Sequence, residues 1–361
     1  MGSLDRIEIN GFKSIRDLDI ELRPLNVLIG ANGAGKSNFM SVFKLLNQII
    51  ERNLQLYVGK SGGADTLLHF GRKVTQEIAI RLHIGSYGYA VRLVPSSGDS
   101  LIFAAEEYWY PDMLHKPKSL HLGSGHSETQ FGRRLSDPTV TIPEELLQTL
   151  QSGRVYHFQD TSDSAKVKLI GDLDDNAFLR PDGANLAAFL YRLHQTRPDY
   201  YYRIVDTIRL VAPFFDEFTL RPSPLNTSKI QLEWRERGSD SYFNADRLSD
   251  GTLRFICLTT LLLQPDLPST ILIDEPELGL HPYAISLLAS LLQSASTQTQ
   301  VIVTTQSVPL VDHFAPEDVI VVERDEGSSS FKRLSTPEII DWLEDYSLGE
   351  LWEKNIIGGR P

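Results

Sequence analysis

Apolar and polar residues alternate along RIEINGFKSI and DLDIEL, and PLNVLIG is a short apolar run closed by glycine, so the first 30 residues predict strands. The period changes at Ser37. Phe39, Val42, Phe43, Leu46 and Ile49 or Ile50 recur at three- and four-residue spacing, the stripe of a helix running to about Glu51. Further strands are expected near 77–83, 89–94 and 101–105, separated by turns rich in glycine and serine. Between about 107 and 180 the pattern fades, and HKPKSLHLGSGHSETQFGRRLSDPT is crowded with turn formers, which predicts an irregular insertion. Helices are expected at Asn185–Gln195 and Tyr200–Phe214, with a strand near Lys229–Glu233. The last third alternates: helix 251–263, strand 270–274, helix 283–293, then strands 300–304 and 318–323, the signature of an α/β layer with parallel strands. No internal repeat or sustained heptad interrupts this order.

Composition narrows the class. The 361 residues are 41% hydrophobic and 23% charged, an ordinary globular balance with room for a large core. No apolar run approaches the roughly 18 residues that span a bilayer. MGSLDRIEIN lacks the apolar stretch of a secretory signal, and Arg6 breaks the myristoylation pattern. The single cysteine, Cys257, excludes an internal disulfide framework and suits a reducing cytoplasm. A net charge of −12 argues against a surface that is basic throughout, although a local basic strip needs only a few lysines and arginines.

The chemistry begins at Gly30-Ala31-Asn32-Gly33-Ala34-Gly35-Lys36-Ser37, which fits G-x-x-x-x-G-K-[ST] between an apolar strand and an amphipathic helix. Glycines let successive N–H groups turn inward into an anion nest, and the helix N-terminus adds partial positive charge. The candidate ATP contacts are Gly30, Asn32, Gly33, Ala34, Gly35, Lys36, Ser37 and Asn38. Lys36 would reach the β- and γ-phosphates, and the Ser37 hydroxyl would hold Mg²⁺. Ile271-Leu272-Ile273 is an apolar strand ending in Asp274, placed to bind Mg²⁺, and Glu275, placed to polarise an attacking water as general base. Leu248-Ser249-Asp250-Gly251-Thr252 opens the apolar helix TLRFICLTTLLL, where Ser249 and Asp250 suit an N-cap. Leu135-Ser136-Asp137 lacks the following glycine and runs into Pro138.

At LSDGT the chain resembles the ABC ATPase superfamily, whose signature it varies. The resemblance implies that Ser249 and Gly251 close on the γ-phosphate held by the opposite subunit. Leu278-Gly279-Leu280-His281-Pro282 is similar to the D-loop, and VIVTTQS to the following strand and switch, with Gln306 where histidine is usual. An amide can contact the γ-phosphate but carries no charge. For the superfamily's Q-loop, Gln76 is a candidate beside the alternative of an exposed strand residue. Ser249 lies 213 positions after Lys36, far more than in transporter nucleotide domains. LDRIEINGFKSIRDLDIEL before PLNVLIGANGAGKSN resembles SMC and RecF heads, where the hairpin lies near the nucleotide, so Lys13 either contacts it or is a solvated hairpin lysine. TLLHFGRK, LSDGTLRF, IDEPELGLHP, TTQS and LGELWEKNIIGGRP resemble compact bacterial AAA-21-type ATPases across nearly the whole chain. The implied fold is an α/β ABC-ATPase head: a P-loop core with an antiparallel β subdomain, a helical lobe and an irregular insertion. The expected divisions are 1–106, 107–245, 246–330 and a tail at 331–361.

Glu323-Arg324-Asp325-Glu326 invites comparison with the Toprim nuclease of related ATPases, but DEGSSS reads as a hairpin turn and too few residues follow. His115, His121 and His126 lack a fixed zinc-ligand spacing, and Asp172–Asp175 reads as a solvated turn. Two function classes follow. In one, an ATP-dependent head-to-head dimer partners a separate effector protein, for example a nuclease in antiphage defence. In the other, a stand-alone DNA maintenance ATPase grips DNA through a strip drawn from Arg72, Lys73, Lys116, Lys118, Arg133 and Arg134. A transporter role is disfavoured, and no membrane contact is expected.

Overall fold

The computed structural model describes residues 3–111, 117–131, 146, 149–151 and 153–360. The chain opens with three strands, β1 (Arg6–Phe12), β2 (Ile15–Glu21) and β3 (Leu25–Ile29), followed by helix α1 (Lys36–Ile50) and the short α2 (Leu54–Lys60). Strands β1 and β2 alternate buried and exposed positions, so they suit a sheet with one wet face. They join β4 (Ile78–Ile84), β5 (Tyr87–Pro95), β6 (Leu101–Pro111) and β7 (Pro117–Gly123) in an antiparallel sheet of order β2-β1-β4-β5-β6-β7.

The segment expected to be irregular supplies more structure than its composition suggests. It extends β6 to residue 111, provides β7, and places β8 (Arg154–Tyr156) in the central sheet. A three-residue strand is too short to show a period, which is why the sequence pattern misses it. Next come β9 (Gly171–Asp172) and helices α3 (Leu186–Thr196) and α4 (Pro198–Val211). Five further strands follow: β10 (Phe215–Phe218), β11 (Pro222–Ser223), β12 (Asn226–Ile230), β13 (Glu233–Glu236) and β14 (Tyr242–Asn244). The single strand expected over 229–233 is thus divided between β12 and β13, which belong to different small sheets. Asp172 pairs with Lys229 and Asp175 with Arg180, both at the surface.

The last third follows the expected alternation: α5 (Asp250–Leu263), β15 (Thr270–Asp274), α6 (Pro282–Ser296), β16 (Gln300–Thr304), α7 (Val308–Val311), β17 (Val319–Asp325), β18 (Ser328–Arg333), α8 (Thr336–Leu343) and α9 (Leu348–Glu353). The central sheet runs β18-β17-β3-β16-β15-β8, parallel except for the β17–β18 hairpin, whose turn is the expected Asp325–Ser328.

Alternate residues of these strands feed two cores. Val27, Ile29, Ile271, Ile273, Val301 and Val303 pack with α3 to α6, whereas Leu28, Leu272, Ile302 and Ile320 pack with α1 and the antiparallel sheet. Strands covered on both faces are mostly apolar, and all five residues of β3 and of β16 are buried, the polar Asn26, Gln300 and Thr304 among them each making hydrogen bonds. No helix among the described residues is long and apolar enough to cross a membrane.

Ile302 is fully buried in the α1-side core. Ile302→Ala is expected to cost about 3 kcal/mol through lost burial and a cavity, read as a lower urea midpoint at unchanged slope.

Candidate active site at the strand ends

The Gly30–Ser37 loop leaves the end of β3 and delivers α1. Gly30 and Gly35 take φ of +150° and +125°, and a Cβ would lie 2.1 Å from the Val322 carbonyl or 2.1 Å from the Ser329 hydroxyl respectively, so no side chain fits at either position. The loop is braced from β18 and the β1–β2 turn. Ser329 Oγ donates to the Ala34 carbonyl at 2.5 Å and lies 2.7 Å from Ser14 Oγ, while Asn38 Nδ2 donates to Ser14 Oγ at 2.6 Å. Arg324 donates to the Gly33 carbonyl at 3.3 Å. Among the described residues no side chain caps α1, which leaves its first N–H groups to an anion. Asn32, Gly33 and Ser37 are exposed along the rim, and Ala34 is buried beneath it.

Lys36 is 5% exposed, and its ammonium donates to the Gly30 and Ala31 carbonyls at 2.6 and 3.1 Å. Burial pulls its pKa below the ordinary lysine value, while the nearby carboxylates of Glu275, Asp274 and Glu277 work in the opposite direction.

Those carboxylates lie where β15 ends. Asp274 is the last residue of the strand, and one of its oxygens accepts the Thr304 hydroxyl of β16. Glu275 follows in a left-handed conformation, φ +46°, with its N–H donating to the Thr304 carbonyl at 2.9 Å. Its carboxylate accepts the side-chain amide of Gln306. The structure therefore brings Lys36, Asp274, Glu275 and Gln306 into one cluster beside the loop.

Four residues that the sequence reading did not single out belong to the same cluster. Glu277 is buried, accepts from the Thr305 hydroxyl and the Gln306 N–H, and is held above the usual carboxylate range by burial. It stands inside IDEPELGLHP, where the flanking Glu275 drew attention from it. Gln159, three residues past β8, donates to the Asp274 carbonyl at 3.2 Å. Gln76 is exposed just ahead of β4, so the glutamine that reaches the strand end is Gln159. His157 lies 4.0 Å from Asp274, and burial lowers its pKa, with repulsion from Lys44 adding to the effect. Arg254 is buried and donates to the Phe158, Gln159 and Leu278 carbonyls, joining α5 to the loops after β8 and β15.

Ser249 N-caps α5, accepting from the Thr252 N–H at 3.2 Å. Gly251 faces the Gly279 carbonyl so closely that a Cβ would stand 2.3 Å from it. Their contacts are thus with their own helix and the 278–280 loop, and no described contact joins them to Gly30–Ser37. Lys13 sits in the β1–β2 turn at φ +50° with its ammonium 5.4 Å from the centre of the Phe12 ring, and burial, then repulsion from Lys44, lowers its pKa.

Arg72 is engaged with Asp65 and Asp99, whereas Lys73 and Lys118 are exposed. His121 and His126 pair with Glu107 and Glu106 rather than with each other. His115, Lys116, Arg133, Arg134 and Leu135–Asp137 lie outside the described residues.

Removing the Arg254 head leaves three carbonyls without their donor. Arg254→Met is expected to lower the unfolding free energy by about 3 kcal/mol, measured by urea titration, because such acceptors become unsatisfied on burial.

The geometry agrees with comparisons to known proteins. The family model described as "AAA domain, putative AbiEii toxin, Type IV TA system" matches residues 25–312. No curated protein matches. Among solved structures, an Smc head bound to the C-winged helix domain of ScpA is similar at 15% identity and a TM-score of 0.57, over 94% of this chain and 99% of that one. An Smc head domain with an extended coiled coil, bound to the C-terminal domain of ScpA derived from Pyrococcus furiosus, is similar at 15% identity and a TM-score of 0.54, over 96% and 99%. At these identities the structural likeness speaks for the fold. With the Gly30–Ser37 loop, the strand-end carboxylates and the α5 N-terminus all inside the matched span, the chain belongs to this AAA-domain family and has the fold of the Smc heads.

Proposed function

We propose that the chain binds and hydrolyses ATP and that two copies close head to head around two nucleotides. The observation that carries this reading is the Glu275 carboxylate, held by the Gln306 amide at the end of adjacent parallel strands and within the field of the Lys36 ammonium. These groups, at and just past the ends of rigid strands, suit the roles of base, switch amide and phosphate-binding cation.

Each residue has a task. Backbone N–H groups from Gly30 to Asn38 cradle the phosphates, and Lys36 leaves its loop carbonyls for the β- and γ-oxygens. The oxygens of Ser37 and Asp274 suit a hard cation, so they would hold Mg²⁺, which when bound neutralises phosphate charge. Glu275 takes the proton of the attacking water, and Gln306 orients that water or the γ-phosphate. Lys13, unpaired with any acid in its hairpin, is placed for a further anionic contact. Ser249 and Gly251 serve the nucleotide of the opposite copy, since the N-terminus of α5 is exposed. Loss of the γ-phosphate then releases the pair, a two-state switch.

A separate effector protein is the proposed partner. The net charge of −12 and the engagement of Arg72 in ion pairs favour it over direct DNA contact. DNA binding by the purified chain with a steep salt dependence would reverse that order.

Lys36→Ala is expected to abolish ATP binding, and Glu275→Gln to slow turnover by about a hundredfold or more while preserving binding. Light scattering of Glu275→Gln should give one mass without nucleotide and twice that mass with ATP and Mg²⁺. A Glu275→Gln turnover equal to wild type would remove the base from this residue, and a mass indifferent to ATP would remove the nucleotide-closed pair.

A further inference from the structure

We infer that Glu277 is a positioning residue that holds Gln306 on Glu275, so that it governs the hydrolysis step and leaves nucleotide binding alone. The inference rests on the ATPase reading above and adds a residue to it.

Glu277 is only 7% exposed, and its Oε2 has no hydrogen-bond partner among the described residues. A buried carboxylate with one bare oxygen is expensive, and an apolar side chain of similar volume would fill the same space at less cost. The position is therefore not explained by packing.

What the carboxylate does is visible in its other oxygen. Oε1 accepts the Thr305 hydroxyl at 2.5 Å and the Gln306 N–H at 3.2 Å. The Thr305 hydroxyl oxygen in turn accepts the Ser307 N–H at 2.9 Å, so Glu277 grips consecutive residues of the segment leaving β16. The Gln306 side chain, carried on that backbone, meets the Glu275 carboxylate.

The two glutamates have opposite surroundings although one residue separates them. Glu275 is partly exposed and its partner is a side-chain amide that can rotate away; Glu277 is buried and its partners include backbone. The first arrangement suits a group that reacts, and the second suits a group that fixes the pivot about which Gln306 turns. A carboxylate also makes stronger hydrogen bonds than a neutral acceptor, which favours a single position of the pivot.

The test uses the full chain with Glu277→Ala, Glu277→Gln and Thr305→Val. Single-turnover hydrolysis and ATP affinity are measured for each, with thermal melting to establish that each variant folds. Glu277→Ala should hydrolyse at least about tenfold more slowly with an ATP dissociation constant within about twofold of wild type. Glu277→Gln keeps an acceptor oxygen and should recover most of that loss, and Thr305→Val should fall between them. A Glu277→Ala rate equal to wild type, or rate and affinity falling by the same factor, overturns the inference. If Glu277→Ala does not fold, an unchanged rate in Thr305→Val overturns it. Absence of hydrolysis in the wild-type chain would instead overturn the ATPase reading itself, whereas normal wild-type turnover with unaffected variants rejects the role of Glu277 alone.

Discussion

The site depends on three parallel strands that stop at the same level. Asp274 is paired with Thr304, and Thr304 with Leu28, so β15, β16 and β3 reach their ends side by side. Parallel strands need crossover connections, and every crossover leaves from the same edge of the sheet. The loops that follow, Gly30–Ser37, Glu275–Leu280 and Thr305–Ser307, are therefore forced together, although 238 positions separate Lys36 from Asp274. Polar side chains emerge here from strands whose preceding residues are fully buried.

Crowding three carboxylates around one ammonium is costly, and the structure shows how the cost is met. Asp274, Glu275 and Glu277 all act on Lys36, and each has its own donor from β16 or the residues after it: Thr304, Gln306 and Thr305. The Glu275 and Glu277 carboxylates repel each other, so the donors help to hold the arrangement. Burial raises the pKa of Glu277, and its hydrogen bonds from Thr305 and Gln306 act in the opposite direction. The left-handed backbone at Glu275 adds about 1–3 kcal/mol of strain, tolerated because both flanks are fixed by the Thr304 carbonyl and by Pro276.

Sequence alone revealed the elements whose signal is local. The stripe from Phe39 to Ile49 located α1, the apolar runs located β3, β15 and β16, and the glycine spacing located the phosphate loop. What it missed depends on contacts remote in sequence. Gln159 gains its position from β8, three residues long and paired with β15 more than a hundred positions away. Arg254 looks like one polar residue of an apolar helix until the fold supplies carbonyls from residues 158, 159 and 278. Ser329 reads as part of a serine-rich turn, and only the hairpin geometry of β17 and β18 sets it against Gly35. Glu277 was in view, but nothing in a string of letters says which of two nearby glutamates faces inward.

The N-terminus of α5 adds a constraint on how the proposed pair would work. Within one chain, Gly251 is pressed against the Gly279 carbonyl, and Arg254 ties the same helix to Leu278. The helix start therefore cannot move without moving the loop that begins at Glu275. On the proposed reading, a γ-phosphate delivered by a second copy would pull on Ser249 and Gly251. That pull would pass through Gly279 and Leu278 to the residues that hold the base. Coupling of this kind needs a contiguous rigid contact rather than a long-range field, and the tight Gly251–Gly279 approach and the Arg254 bonds provide one. Hydrolysis in one site would then depend on closure at the other, because the base and the signature helix are joined through the same loop.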